Sequence, residues 1–488
     1  MQYHALSLLQ NDHNVVLIGY AGSSIIEPLL PFLSSSSPTL RIHRYTPPNF
    51  KSLPTLLRLP LRLFSLIFSL SYALATSPNF NLLLVQNPPS IPTLLVSFLF
   101  CRFCCFKFHP AIIIDWHNLG FTMFSGDDNS FITKTIKLIA RVYEGLLGGC
   151  SDGNFYVTAR MKTFVQEKLG GTQGEVLYDC PPSNVFKTLH WGKQEDLEVI
   201  HDLFTRLENT EECFKTARKK FRMDDGSGSG SGNGNGNGNS TLFTRKSKNG
   251  KIERLPNAPK LLVSSTSWTP DEDFGILLSA LIELQSKISN SANSGGETKI
   301  MLLVTGKGPQ KALYQNKIKQ LELDNVAIGT IWLETIDYPR LLASCDLGVC
   351  LHTSTSGIDL PMKVVDMYGS GIPVFAYDYQ CISELVKDGV NGMVFEGGEK
   401  LAELFYKFLV GNGEEDGLEK LRDNVRRGRE GGEGSWERNW EDNGGLREVK
   451  RCLLIAKERE FGGLNLYVFL MVGLVVVGVI VGGNVSRM

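Results

Sequence analysis

Near-continuous apolar runs of strand length recur through the N-terminal part of the chain, at 14–19 (NVVLIG), 81–86 (NLLLVQ), 111–115 (AIIID) and 154–157 (NFYV). Apolar side chains at successive rather than alternate positions are what a parallel sheet covered on both faces demands. Helical patterns lie between them, at about 1–10, 53–75, 91–106 and 130–147. The alternation resumes at 260–265 (KLLVSS), followed by Thr269-Pro270-Asp271-Glu272. That quartet predicts a helix start, with Thr269 as the cap, Pro270 at the first position and Glu272 closing a capping box. Phe274, Leu277, Leu278, Leu281 and Leu284 then share one helical face. Strand 299–304 (KIMLLV), a Gly306-Lys307-Gly308-Pro309 turn and a helix follow. Next come strand 346–351 (DLGVCL), a helix from about 362 to 369, strand 373–376 and a helix near 382–387. Strands alternating with helices imply two α/β units, each built on a parallel sheet.

The two ends depart from that pattern. A doubly wound unit opens on a strand, a Gly-containing turn and then a helix, whereas MQYHALSLLQ already reads as the helix. The first strand is therefore expected to be missing, leaving its neighbours short of ladder partners. At the other end, residues 464–483 (LNLYVFLMVGLVVVGVIVGG) carry no charge and are long enough to span a bilayer core. A membrane helix is expected there, with the bulk of the chain in the cytosol. Stretches 53–75 and 91–106 mix Arg58, Arg62 and Arg102 with many Leu and Phe. Such mixtures suit either a sheet-covering helix or one lying at a membrane interface.

Composition adds boundaries rather than function. The 488 residues are 42% hydrophobic, enough for large cores, and 50 Lys+Arg against 51 Asp+Glu leave a net charge of −1. No general polyanion signal results, so no nucleic-acid partner is expected. Cys101, Cys104 and Cys105 form a C-x-x-C-C run without a second pair or a His at zinc spacing, so no metal is expected there. The tract 224–240, DDGSGSGSGNGNGNGNS, has no apolar side chain and reads as flexible linker. The expected organisation is an N-terminal Rossmann-like domain at 1–185, a helical segment and linker at 186–257 and a second Rossmann-like domain at 258–410. A charged, Gly-rich helical segment at 411–463 and the apolar helix at 464–483 complete it.

Candidate chemistry concentrates after the strand at 346–351. Ligands of open α/β sheets sit beyond the carboxyl ends of the strands. There the chain reads His352-Thr353-Ser354-Thr355-Ser356-Gly357-Ile358-Asp359-Leu360-Pro361-Met362-Lys363. The hydroxyls of Ser354 and Ser356 and the first amides of the following helix suit a diphosphate. Lys363 adds positive charge, and Asp366, nearly one turn later, can accept two ribose hydroxyls. Gly306 and Gly308 permit close backbone approach near a nucleotide, although a lone G-x-G is also an ordinary strand-to-helix turn.

The run from Asp366 through Gly369-Ser370-Gly371-Ile372-Pro373 to Ser383-Glu384-Leu385-Val386 resembles the donor-binding half of GT-B nucleotide-sugar glycosyltransferases. Asp366 matches the second acid of their Glu-x7-Glu motif. Ile358 stands where the first is expected, with Asp359 one residue off, and SSTSWTPDEDF lacks the Arg and Lys found there in many such enzymes. The blocks MQYHALSL, VQNPPSIPTL, IIIDWHNLGFTM, SSTSWTPDEDFGILLSAL, LLVTGKGPQK and SGIDLPMKVVDMYGSGIPV together resemble the chitobiosyldiphosphodolichol beta-mannosyltransferases. The resemblance covers most of 1–182 and 258–398. It implies two Rossmann-like domains facing a cleft. It also implies transfer of mannose from GDP-mannose to GlcNAc2-diphosphodolichol at the cytosolic face of the endoplasmic reticulum membrane. Membrane lipid and other dolichol-pathway mannosyltransferases become expected partners. Relative to the family, the chain reads as N-terminally shortened, with only the final Met of a GDIGRSPRM-like loop left as Met1.

Forming a β-mannoside from an α-linked donor inverts the anomeric centre, which needs a base at the acceptor hydroxyl and stabilisation of the leaving diphosphate. Asp115 is the first candidate base and His117 the second, and Asn118 is a substrate-binding candidate beside them. The amides around Gly357 to Leu360, with Ser354, Ser356 and Lys363, are expected at the leaving group, and Asp359 at the mannose hydroxyls. No Asp-x-Asp motif stands out, so no bound metal is expected, with room for a stimulating divalent ion. Two alternatives stay open: an inactive nucleotide-sugar-binding homologue, and another GT-B mannosyltransferase acting on a lipid-linked acceptor.

Overall fold

The computed structural model describes the chain except residues 34–37, 47, 49, 51–53, 105–108, 125–129, 224–239, 291–297, 355, 411–414, 433 and 463–488. The expected linker, but for Ser240, and the apolar segment 464–483 lie outside the described residues. Among the described residues no helix is long and apolar enough to cross a membrane. The chain divides into two compact units, Met1–Tyr178 with Asn439–Met488, and Asp179–Arg438.

The first unit opens with α1 (Gln2–Gln10), β1 (Val15–Tyr20), a short α2 (Leu30–Leu33) and β2 (Leu40–Tyr45). It continues through α3 (Thr55–Thr76), β3 (Leu82–Asn87), α4 (Thr93–Leu99), β4 (Ala111–Trp116), α5 (Phe131–Gly148), β5 (Gly153–Tyr156), α6 (Ala159–Lys168) and β6 (Glu175–Val176). Strands β3, β4, β5 and β6 form one parallel sheet, while β1 and β2 pair with each other in a separate parallel pair. β4 is buried at every position, as its unbroken AIIIDW sequence requires of a strand covered on both faces. Ala5, Leu6 and Leu9 of α1 pack with Leu29 and Leu40 into a small core of their own.

The second unit begins with α7 (Gln194–Thr210), α8 (Glu212–Lys220) and the hairpin β7 (Thr244–Lys246) and β8 (Ile252–Arg254). These elements come from the region expected as helical segment and linker. They are followed by β9 (Lys260–Ser265), α9 (Phe274–Asn290), β10 (Ile300–Thr305), α10 (Lys311–Lys319), β11 (Val326–Ile331), α11 (Asp337–Ser344) and β12 (Leu347–Cys350). Then come α12 (Met362–Gly369), β13 (Val374–Tyr377), β14 (Gly392–Phe395), α13 (Gly397–Phe405) and α14 (Glu415–Glu430). The sheet runs β11-β10-β9-β12-β13-β14, all parallel. Side chains alternate across it with the two-residue strand period. Leu261, Val263, Met301 and Leu303 enter the core with Phe204, Phe214 and Phe243. Leu262, Leu302 and Val304 enter the opposite core with Phe274, Leu277 and Leu281 of α9. The helix expected near 382–387 is only a 3₁₀ turn, Ile382–Glu384. The chain returns to the first unit through α15 (Trp436–Asp442) and α16 (Gly445–Gly462).

Candidate active site

In the second unit strand order reverses between β9 and β12, so the loops leaving their carboxyl ends diverge to opposite faces and open a crevice. Thr353, after β12, ties the two loops together: its hydroxyl donates to Asp271 O at 2.8 Å. Glu272, 3% exposed, turns back toward β9, where its Oε2 accepts from Ser267 N at 2.8 Å and from the Thr266 hydroxyl. Those donors take the carboxylate away from the helix start. The capping box expected at Thr269 to Glu272 therefore does not form, and α9 begins at Phe274, with Asp273 Oδ1 accepting from Gly275 N at 2.9 Å.

The other oxygen of Glu272 faces Lys363 Nζ in an ion pair and stands 3.5 Å from His352 Nδ1. Asp271 Oδ2 stands 3.7 Å from the same imidazole nitrogen. Glu272 Oε1, His352 Nδ1 and Lys363 Nζ are buried and form no hydrogen bond of good geometry. Burial pushes the Lys363 ammonium down to about 8 against the pull of Asp271, and it lowers His352 as well. Burial pushes the Asp366 carboxyl up to about 7, opposed by a hydrogen bond from Tyr338. An ammonium and a carboxyl displaced toward neutrality gain most when a ligand of complementary charge arrives.

The loop after β12 is braced internally. Asp359 Oδ1 accepts from Ser356 Oγ at 2.8 Å and from the Ser354 hydroxyl, and Ser354 Oγ accepts from Gly357 N at 2.9 Å. Gly357, at φ +73°, supplies the left-handed residue that this turn needs. Asp359 and both hydroxyls are thus engaged with one another in this structure. Gly306 and Gly308 carry the β10 loop hard against the β9 loop. A Cβ at either would run into the backbone oxygen of Thr266 or Ser267.

Asp271, Glu272 and His352 also present ligand atoms within 4.8 Å of one another. Lys363 already neutralises the buried acid of that set, so the donors fit an ammonium better than a divalent ion.

In the first unit the end of β4 carries Asp115, His117 and Asn118. Asp115, 2% exposed, receives His117 Nε2 at 2.8 Å and His4 Nε2 at 3.1 Å on the same oxygen, Oδ2. His4 comes from α1, stacks on Phe155 and takes a hydrogen bond from Trp440 Nε1 of α15 on its Nδ1 at 3.2 Å. The tryptophan bond leaves His4 its proton on Nε2, aimed at the carboxylate. Burial lowers His4 despite the nearby acid. Burial opposes ionisation of Asp115, but the two imidazoles overcome it and hold the carboxyl well below the usual range. With Nε2 of His117 facing a carboxylate, Nδ1 becomes the basic nitrogen of that ring. Asn118 Oδ1 accepts from Leu119 N at 2.7 Å, fixing the turn that aims His117.

The back of this loop is pinned by Glu144 of α5, fully buried. Its carboxylate accepts from Gly120 N at 2.8 Å, Phe121 N at 3.3 Å, Asn87 Nδ2 at 3.2 Å and the Ser90 hydroxyl. His4, Trp440 and Glu144 escape sequence reasoning because each meets its partner across a long separation. The one local signal was a histidine on the apolar side of a helix.

The description "Glycosyl transferases group 1" fits residues 236–428. An Arabidopsis thaliana protein named UDP-glycosyltransferase TURAN is 37% identical over 465 residues, covering 91% of this chain and 92% of that protein. The Mus musculus chitobiosyldiphosphodolichol beta-mannosyltransferase is 35% identical, covering 90% of this chain and 84% of its own. Sucrose-phosphate synthase from Thermosynechococcus elongatus superposes with a TM-score of 0.57 at 12% identity over 92% of this chain and 91% of that one. At that identity the likeness establishes the fold alone, and the fold is GT-B.

Proposed function

The chain belongs to the chitobiosyldiphosphodolichol beta-mannosyltransferase family, and from that membership we propose that it takes mannose from GDP-mannose and forms a β-1,4 linkage to GlcNAc2-diphosphodolichol at the cytosolic face of the endoplasmic reticulum membrane. It is a glycosyltransferase of dolichol-linked oligosaccharide assembly. The observation that carries the donor assignment is the buried charge cluster at the switch point of the second unit. Lys363 stands at the start of α12, where helix amides and an ammonium together suit a diphosphate. Asp366 follows on the same helix, with the character of a ribose acceptor.

In the first unit His117 is the proposed base. Asp115, held ionised by two imidazole donors, is a weak base and acts as its orienting partner. The acceptor hydroxyl loses its proton to His117 Nδ1 as its oxygen bonds the anomeric carbon. The departing GDP takes the bonding electrons, and Lys363 with the α12 amides stabilises its charge. No step is assigned to a metal. Magnesium chelation tests separately for a stimulating divalent ion.

The deciding assay offers GDP-mannose and UDP-glucose to the purified full chain with a short-chain chitobiosyl diphosphate acceptor. A β-mannosidase-sensitive product formed only from GDP-mannose is expected. Transfer from UDP-glucose alone overturns the donor assignment, and the name of the Arabidopsis relative makes that the specific rival. Asn239-Ser240-Thr241 is a glycosylation sequon, so a glycan found on Asn239 overturns the cytosolic placement.

A further inference from the structure

Helix α5 is inside out. Phe131, Ile132, Leu138, Ile139, Val142 and Leu146 are all exposed, Phe131 at 82% and Ile139 at 62%. At 100° per residue they fall within an arc of about 120°. The opposite side buries Glu144, Ala140 and Leu147. A helix that turned its apolar face to the sheet would bury the first set instead. Helix α3 repeats the arrangement, with Leu57, Leu61, Phe64, Phe68 and Tyr72 exposed at helical spacing, Phe64 at 69%. Helix α4 contacts both α3 and α5 and exposes Leu95 and Leu99.

Charge identifies the occupant. Arg58 and Arg62 flank the stripe on α3, and Lys134 and Arg141 flank the face of α5. The three helices contain a single acidic residue, Glu144, and it is buried. Apolar faces bordered by cations, with no exposed acid, complement a layer of acyl chains under anionic headgroups. A protein partner of ordinary surface composition would bring acids and bases alike.

We propose that the exposed faces of α3, α4 and α5 form a monotopic membrane-docking surface of the first unit, lying in the headgroup region of an anionic bilayer. This rests on the reading that the acceptor is lipid-linked, and it says how such an acceptor is met. The buried side of α5 holds Glu144, which pins the loop after β4, so one helix joins the docking surface to the loop carrying His117. The diphosphate of a lipid embedded in that surface thus arrives at the edge of the unit that holds the base.

Vesicle flotation of the full chain tests this, in a background with Val475→Asp and Val477→Asp to silence the apolar segment 464–483. The variant Phe131→Glu/Ile139→Glu/Leu146→Glu is expected to lose at least about tenfold in retention on vesicles of phosphatidylcholine with phosphatidylglycerol. Its circular dichroism and its transfer to a detergent-soluble short-chain acceptor stay unchanged. Lys134→Ala/Arg141→Ala is expected to lose about tenfold or more on those vesicles and little on pure phosphatidylcholine. Ile282→Glu/Leu313→Glu/Val390→Glu, at exposed positions of the second unit, retains binding. Retention of the α5 variant at the parent level overturns the proposal. So does a parent that ignores vesicles but sediments as a dimer which the α5 variant dissociates. A chain that docks through this face yet transfers to no chitobiosyl acceptor upholds the surface and overturns the acceptor reading instead.

Discussion

The two units solve opposite halves of the same problem. In the second unit α9 buries Phe274, Leu277 and Leu281 against the sheet, while Lys363, Glu272 and His352 stay buried without a good hydrogen bond among them. The first unit settles its charges, giving Asp115 two imidazoles and Glu144 four donors, and leaves apolar side chains of α3 and α5 in water. What each unit leaves open matches a kind of ligand: a charged nucleotide sugar for one, a lipid for the other. α5 and α9 are of similar length and both follow a buried parallel strand, so helix formation alone does not separate them. The difference lies in which side of the helix the strand receives.

Four measurements press on that contrast, taken from the largest effect to the smallest. His117→Ala is expected to lower kcat by about 10² to 10⁴ while leaving the donor Kd unchanged, since the proposed donor groups sit in the other unit. A donor Kd that moves with kcat breaks the division. Leu281→Ala, fully buried, should cost about 2–5 kcal/mol in urea unfolding. Ile139→Ala should move stability by no more than about 0.5 kcal/mol, and an equal cost at both positions breaks the contrast between sealed and open faces. Lys363→Ala should weaken GDP-mannose binding about tenfold or more by calorimetry. An effect within about twofold removes the diphosphate role.

The smallest effect is in pH. Asp366 must be charged to accept ribose hydroxyls, and its carboxyl ionises as pH rises through about 7. Lys363 must be charged to meet a diphosphate and loses its proton as pH rises through about 8. Donor affinity, measured by calorimetry so that the base His117 does not enter, should therefore climb on the acid side, fall on the basic side and peak between these values. Asp366→Asn should erase the acid limb and leave the basic one. A profile flat from pH 6 to 9 would sink both assignments.

Much of the fold was legible because buried parallel strands advertise themselves as unbroken apolar runs. β9 spans the very residues read as KLLVSS, and β4, β10 and β12 lie within one residue of their sequence patterns. β2 was not legible: LRIHRY carries two arginines and a histidine, and both arginines are exposed. β11 was obscured by Gly329, which the structure needs because a Cβ there would strike Cys213. The turn at Thr269 to Glu272 had all the marks of a helix start. It failed because Ser267 N and Thr266 compete for Glu272, and local propensity holds no record of such a rival. The site was half visible. Residues close in sequence, such as Lys363 and Asp366 on α12, could be placed together from order alone. His4 reaches Asp115, and Trp440 reaches His4, only through the fold.

That last connection has a consequence for synthesis. Trp440 lies 436 positions beyond the histidine it holds, and the whole second unit is encoded between the two. A ribosome must therefore translate residues 179–438, a unit with its own sheet and cores, before the part that locks His4 has been made. Until then the nascent first unit carries Asp115 with its cage open at one side. The order of translation makes the second unit ready first, and the first unit can close around Asp115 only once α15 emerges.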